Sequence, residues 1–172
     1  MRWGAPPGAV RPRSHLALHV EAEDRVWHAD VGFGVGTLLE PLPFGAGAEH
    51  EQAGRRFRIV AQGEELVLQD HDGAAWRDHY AFLSAPVPLV DVETSNWFTG
   101  THPRSPFVSG LVASALGPDG TRTMLSDWSG ELLLTSEAPL GSSAQTVARE
   151  RIPSLLAEGF ALDAEGRVRT AG

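Results

Sequence analysis

The sequence predicts an α+β, mostly β fold built round an antiparallel β-barrel. Three observations carry this. Short runs of alternating apolar and polar residues recur along most of the chain, separated by turn-forming residues. Two of them flank one charged break, which is a hairpin signature. Helix start and stop signals coincide in only one short stretch near the end. Regularly spaced short strands of this kind pair into a closed or nearly closed antiparallel sheet.

Residues 1–13 hold three prolines and three arginines without periodicity and read as an extended leading segment. From Ser14 to Phe33 the pattern runs HLALHV, then EAED, then RVWHADVGF, and predicts the hairpin. Further strands are expected at Arg56 to Ala61, Glu65 to Gln69 and Trp76 to Leu83, bounded by Gly-, Asp- and Glu-containing turns. Ser84 to Pro106 carries four prolines and the polar string ETSNWFTGTHPRS, and is expected to be a long functional loop. A second β unit follows at Phe107 to Leu116 and Thr121 to Thr135, joined by the turn GPDG. In the tail Pro153 suits a first helical turn, SLLAE the body and Gly159 a left-handed stop.

A chain of 172 residues is long enough to bury a core without disulfides or a structural metal. Its net charge of -8 argues against nucleic acid as a partner. No apolar run is long enough to span a bilayer, and the first residues lack the apolar stretch of a secretory signal, so a cytoplasmic protein without membrane association is expected. The cysteine count is zero, which removes thiol nucleophiles and thiolate metal sites from this chain.

The hairpin is the most informative element. With a turn at Glu21 to Asp24, Val20 faces Arg25, paired positions sum to 45, and His15 falls opposite Asp30. Opposed Cβ atoms lie about 4.5 to 5.5 Å apart, a gap that an imidazole can close to a carboxylate. The same register puts Leu16, Leu18 and Val20 with Trp27, Ala29, Val31 and Phe33 on an expected core face. His15, His19, His28 and Asp30 share the other. A carboxylate on one ring nitrogen fixes the imidazole tautomer and leaves the other nitrogen to take a proton from a nucleophile. Taken on register alone, a structural surface pair is the favoured explanation. Zinc on His15, His19, His28 and Asp30 suits the ligand types, but HxxxH in a strand spreads its histidines too far for one ion, so no metal is expected. Glycines 32 and 34 in DVGFG suggest a bulge on pattern alone. No Walker, Rossmann or GxSxG motif is present.

Read together, SHLALHV, DVGFG, EPLPF, WRDHYAF and DVETSNWFTGTHPRSPFV followed by a Gly-Thr-Arg strand closely resemble the arylamine N-acetyltransferases. Asn96, Pro103, Ser105 and Phe107 match the segment leading from that family's barrel to its lid. The resemblance covers nearly the whole chain, which corresponds to about the last two-thirds of a family member. It implies an antiparallel β-barrel domain at residues 14–95, then an inter-domain loop and a smaller C-terminal α/β lid region at 96–172. It also implies His15 as general base, Asp30 as its orienting partner, and Phe33 and Phe107 as walls of the aromatic acceptor pocket. Gly32 and Gly34 would let acetyl-CoA lie along the backbone, and Thr101 is a further coenzyme contact. Acetyl-CoA enters as cosubstrate and an arylamine or arylhydrazine as acceptor, through a Cys-His-Asp triad.

The departure is the sulfur. The family's helical N-terminal domain, with its RGGxCxE-like nucleophile motif, has no counterpart here, so the chain alone is expected to be inactive. A truncated or mis-started reading frame is one explanation. A natural half that docks a cysteine-bearing helical partner chain, making a two-chain acyltransferase, is another. A non-catalytic module that binds coenzyme A or a small molecule is the third. An exposed apolar interface is expected in either of the last two.

Overall fold

The structure, a computed structural model, describes residues 12–34, 38–71, 73–138 and 141–163. Among the described residues the strands form three antiparallel sheets. Strands β1 (Leu18–Ala22), β2 (Arg25–Ala29) and β3 (Leu42–Pro43) form the first, in that order. The second runs β4 (Glu49–Gln52), β5 (Arg55–Gln62), β6 (Glu65–His71) and β7 (Trp76–Phe82). In the third, β8 (Val112–Leu116), β9 (Arg122–Ser126), β10 (Leu133–Ala138) and β11 (Gly141–Thr146) stand in the order β11-β10-β9-β8. The mostly β, α+β class is as expected. The closed barrel is not: among the described residues no sheet returns to its own first strand, because the strands divide into three groups with no ladder between them.

Two apolar cores lie under these sheets. Leu38, Leu42, Phe57, Ile59, Leu68 and Tyr80 fill the space between the first and second sheets, with Ala17, Phe33, Leu66 and Phe82 against them. Ala113, Leu125, Leu132 and Val147 of the third sheet and its flanks pack on Leu155 and Leu156 of α3 (Ile152–Gly159). That helix starts where Pro153 permits and turns its apolar stripe inward.

Between the second and third sheets sits a cluster of buried charge. Asp70 of β6 is fully buried and takes bonds from Arg77 Nε at 3.2 Å, Arg77 Nη2 at 3.1 Å and Arg122 Nη1 at 3.0 Å. Arg55 of β5 crosses to the third sheet, donating to the Gly120 carbonyl at 3.1 Å and the Glu137 carbonyl at 2.7 Å. Gly120 is the turn residue that makes this crossing possible: its φ is +77° and a Cβ there would collide with the Ala53 carbonyl oxygen. Burial alone would raise the Asp70 carboxyl, but the neighbouring His79 and Arg77 outweigh it and hold the group ionised well below the usual carboxylate range.

The segment expected to be a loop contains a helix, α1 (Leu89–Thr101), followed by the single turn α2 (Pro106–Ser109). Pro86, Pro88, Pro103 and Pro106 all fall outside α1, so they bound the helix instead of interrupting it. Its Thr94 and Thr101 hydroxyls bond back to the carbonyls of Val90 and Trp97, which frees the polar string to stay helical. Ser105 caps α2 by accepting from the Phe107 amide and ties it to α1 by donating to the Thr99 carbonyl.

Candidate active site

The hairpin closes two residues tighter than its sequence suggests. Ala22 faces Arg25 and Leu18 faces Ala29, so paired positions sum to 47, and Glu23 and Asp24 alone make the turn with φ of 53° and 58°. A two-residue turn with both φ positive matches strand twist. A slip of two residues leaves every side chain on its original face. His15 and Asp30 therefore still share a face, but as diagonal neighbours beyond the last ladder pair, and the length of the imidazole spans the offset. The His15 Nε2 to Asp30 Oδ2 distance is 2.7 Å.

Along the paired strands the face that turns inward is the reverse of expectation, although Phe33, beyond them, does pack on the core as expected. Leu16, Leu18 and Val20 are 52%, 51% and 42% exposed and Val31 is 91% exposed, whereas His28 and Asp30 are buried. The polar face is buried at His28 and Asp30, where the His28 Nε2 and both Asp30 oxygens find partners. His28 Nε2 lies 2.8 Å from the Tyr80 hydroxyl, and its ring stacks on Phe82 at 4.6 Å. His19 packs against Phe44 at 4.1 Å. Among the described residues no three His, Asp or Glu side chains are placed to hold one metal ion.

Asp30 is the electrostatic centre of the site. Its Oδ1 accepts the Gly32 amide at 2.9 Å, and the Tyr80 hydroxyl is a further hydrogen-bond partner. Burial would raise this carboxyl, but the bonds from His15, Tyr80 and Gly32 outweigh it and hold the group below its ordinary value. Tyr80 is pushed up in turn, first by burial and then by the Asp30 charge, so it stays a neutral hydroxyl. With Nε2 of His15 committed to Asp30, Nδ1 is the nitrogen left to exchange a proton. The His15 side chain is 17% exposed, open enough to be reached and closed enough to be held.

Phe33 joins the parts. Its ring meets His15 at 5.0 Å, Tyr80 at 4.8 Å and His79 at 5.7 Å. Consecutive residues of a regular strand point to opposite faces, yet His79 and Tyr80 both reach this ring. The reason is a bulge: Leu68 pairs with Tyr80 and Gln69 with Asp78, leaving His79 as the extra residue.

Of the residues singled out from sequence, His15, Asp30, Gly32 and Phe33 come together here. The backbone of Gly32 lies beside His15, with 4.0 Å between a would-be Cβ and Cε1. Gly34 adopts φ of +74° with Ser114 Oγ 3.3 Å from where its Cβ would be, so β8 approaches this loop. Phe107 stands apart on α2, edge-on to Trp128 at 5.4 Å. Thr101 ends α1 with its hydroxyl on the Trp97 carbonyl. Of the described contacts, none joins either residue to His15 or Asp30. Sequence reasoning missed Tyr80 and His79; the run WRDHYAF was visible, but nothing local says which of its rings faces the hairpin.

A stability consequence follows from His28. Burial first, then the neighbouring His19, holds it down to about 4 from an ordinary 6.5. The unfolded chain therefore takes up this proton before the folded one does. Stability should fall as pH drops from 6.5 towards 4 and level off below, by up to about 3 kcal/mol for this group. His79, lowered chiefly by burial, adds in the same direction. Urea midpoints measured across that range check this, and His28→Gln should flatten the slope.

The sequence profile of a family described as N-acetyltransferase matches residues 1–168. The chain belongs to the arylamine N-acetyltransferase family. It is 30% identical over 119 residues to an arylamine N-acetyltransferase of Mycolicibacterium smegmatis, covering 69% of this chain and 43% of that protein. A Salmonella typhimurium relative, an arylamine N-acetyltransferase / N-hydroxyarylamine O-acetyltransferase, is 30% identical over 122 residues, 71% of this chain and 43% of the relative. The solved Mycobacterium marinum arylamine N-acetyltransferase in complex with CoA superposes with a TM-score of 0.81 at 30% identity, over 91% of this chain and 58% of that one. The chain thus spans under half the length of these two curated relatives. Among the described residues, no helix is long and apolar enough to cross a membrane.

Proposed function

We propose that this chain carries the base half of a Cys-His-Asp triad for acetyl transfer from acetyl-CoA to an arylamine or arylhydrazine. The 2.7 Å bond between His15 Nε2 and an ionised, buried Asp30 is the observation that carries the reading. Family membership and the coenzyme A complex of the M. marinum relative support the donor.

The chemistry follows from the pair. A thiol brought against His15 gives its proton to Nδ1, and Asp30 steadies the imidazolium that results. The thiolate attacks the thioester carbonyl of acetyl-CoA and forms an acetyl-sulfur bond, and the departing coenzyme A sulfur takes the proton held on His15 and leaves as its thiol. The acceptor nitrogen then attacks that acetyl group, loses a proton to His15, and returns the sulfur. Phe33, in contact with both His15 and Tyr80, is positioned to wall the acceptor; Phe107 and Thr101 belong to this reading only if substrate bridges them to His15. The two glycines act through backbone: Gly32 by its amide on Asp30, Gly34 by a conformation that a side chain would strain.

The sulfur has to come from outside these 172 residues, since they contain no cysteine. The exposed Leu16, Leu18, Val20 and Val31 stripe, on the back of the strand pair that holds the site, supports a surface for the segment that supplies it. Incubated alone with acetyl-CoA and an arylamine, the chain should form neither acetylated amine nor an acetylated polypeptide by mass spectrometry. Acetylated product from the chain alone would overturn the triad reading.

The absence of cysteine favours one other reading, a coenzyme A-binding module without chemistry. Calorimetry with coenzyme A separates the two when combined with a chimera in which this chain is joined to the cysteine-bearing part of the M. smegmatis relative. Binding without acetyl transfer in the chimera supports the module; transfer supports the triad.

A further inference from the structure

The triad reading uses Asp30 and His15 but leaves unexplained a fully buried imidazole behind them. His28 has zero exposure, its Nε2 is 2.8 Å from Tyr80 Oη, and its Nδ1 has no hydrogen-bond partner among the described residues. The rings packed against it are Phe82, His19 and Tyr80, which an apolar side chain would also contact.

Proton bookkeeping gives the ring a direction. A neutral imidazole carries one proton, on either nitrogen. On Nδ1 it would be a buried N–H with no acceptor, a rare and costly state. On Nε2 it points at Tyr80 Oη. The tyrosine hydroxyl has a single proton, and once its oxygen accepts from His28 that proton is free for its other partner, Asp30. The reverse tautomer would draw the Tyr80 proton toward His28 and leave the carboxylate facing a bare oxygen.

We propose that His28 is a positioning residue, which donates from Nε2 to Tyr80 and thereby commits the Tyr80 hydroxyl proton to Asp30. It makes the hydrogen bonds to the carboxylate one-directional: His15, Tyr80 and the Gly32 amide all donate, and none competes as an acceptor. The inference rests on the reading of His15 and Asp30 as the working pair, and assigns to that pair a support outside the triad.

The test is nitrogen-15 NMR of the histidine side chains in the whole chain at neutral pH, combined with carbon-13 titration of Asp30. His28 should be protonated on Nε2, favoured by about tenfold or more over the other tautomer. His28→Leu should shift the Asp30 titration upward, and His28→Gln, whose amide can still donate to Tyr80, should restore it. A dominant Nδ1–H tautomer overturns the proposal outright, without any variant having to fold. So does an Asp30 titration that moves with Tyr80→Phe but stays fixed in a folded His28→Leu chain, which would reduce His28 to packing. The underlying reading has its own control: an Asp30 titration indifferent to His15→Gln contradicts the pair, whereas the His28 tautomer is read from its own nitrogens.

Discussion

In a chimera that restores a cysteine, Asp30→Asn is expected to lower the rate of acetyl transfer by about 10⁴-fold, the cost seen when an orienting carboxylate of a catalytic triad becomes an amide. The physical reason lies in three contacts. Asp30 accepts from His15 Nε2, from the Gly32 amide and from Tyr80, and as an anion it can accept all three. An asparagine keeps the shape but turns one oxygen into a donor, which then faces a donor. Either the Gly32 amide loses its acceptor, or Nε2 of His15 must become the acceptor and the ring proton moves to Nδ1. In that tautomer the nitrogen needed to take the thiol proton is already protonated. Substrate affinity should change far less than turnover, because the amide leaves the aromatic walls in place. Rates within a few-fold of the parent would remove Asp30 from the mechanism.

The largest stability effect is expected at Asp70. Asp70→Ala should cost about 3–5 kcal/mol in urea unfolding, the range for breaking a buried ion pair by deleting one partner. Arg55, Arg77 and Arg122 converge on this carboxylate, and Arg55 and Arg122 are almost wholly buried. Without it their charges face one another between two sheets. Arg122 already shows the strain of the place, since burial and the nearby Arg55 bring its guanidinium down to about 10. Because the carboxyl is depressed in the folded chain, its contribution is present above the ordinary carboxylate range and is lost as pH falls through the folded value. That acid loss lies below the window set by His28, so the two can be told apart in one pH series. A loss under about 1 kcal/mol would show that the cluster is solvated, contrary to its burial.

How much of this was legible in the sequence depends on the range of the interaction. The hairpin was legible because alternation is local, and the His15–Asp30 pairing survived a register two residues off because parity is all that a shared face requires. Its inward sense was not legible. From His15 to Val20, Leu16, Leu18 and Val20 alternate with His15, Ala17 and His19, and the expectation that the apolar side is buried fails because Tyr80 and Phe82, some 50 residues on, supply partners for the polar side. The bulge at His79 follows from pairing across β6 and has no signature in WRDHYAF. Helix α1 was hidden by its flanking prolines, which mark ends as readily as loops. The charge cluster joins β5, β6, β7, β9 and β10, and no spacing rule reaches that far.

The most direct measurement of the central claim is where the ring proton of His15 resides. Nitrogen-15 spectra of the folded chain should show it on Nε2, protected from exchange and displaced on Asp30→Asn, with Nδ1 bare and facing the place of the sulfur. A proton resident on Nδ1, or an Nε2 proton exchanging as fast as that of a free imidazole, would contradict the account.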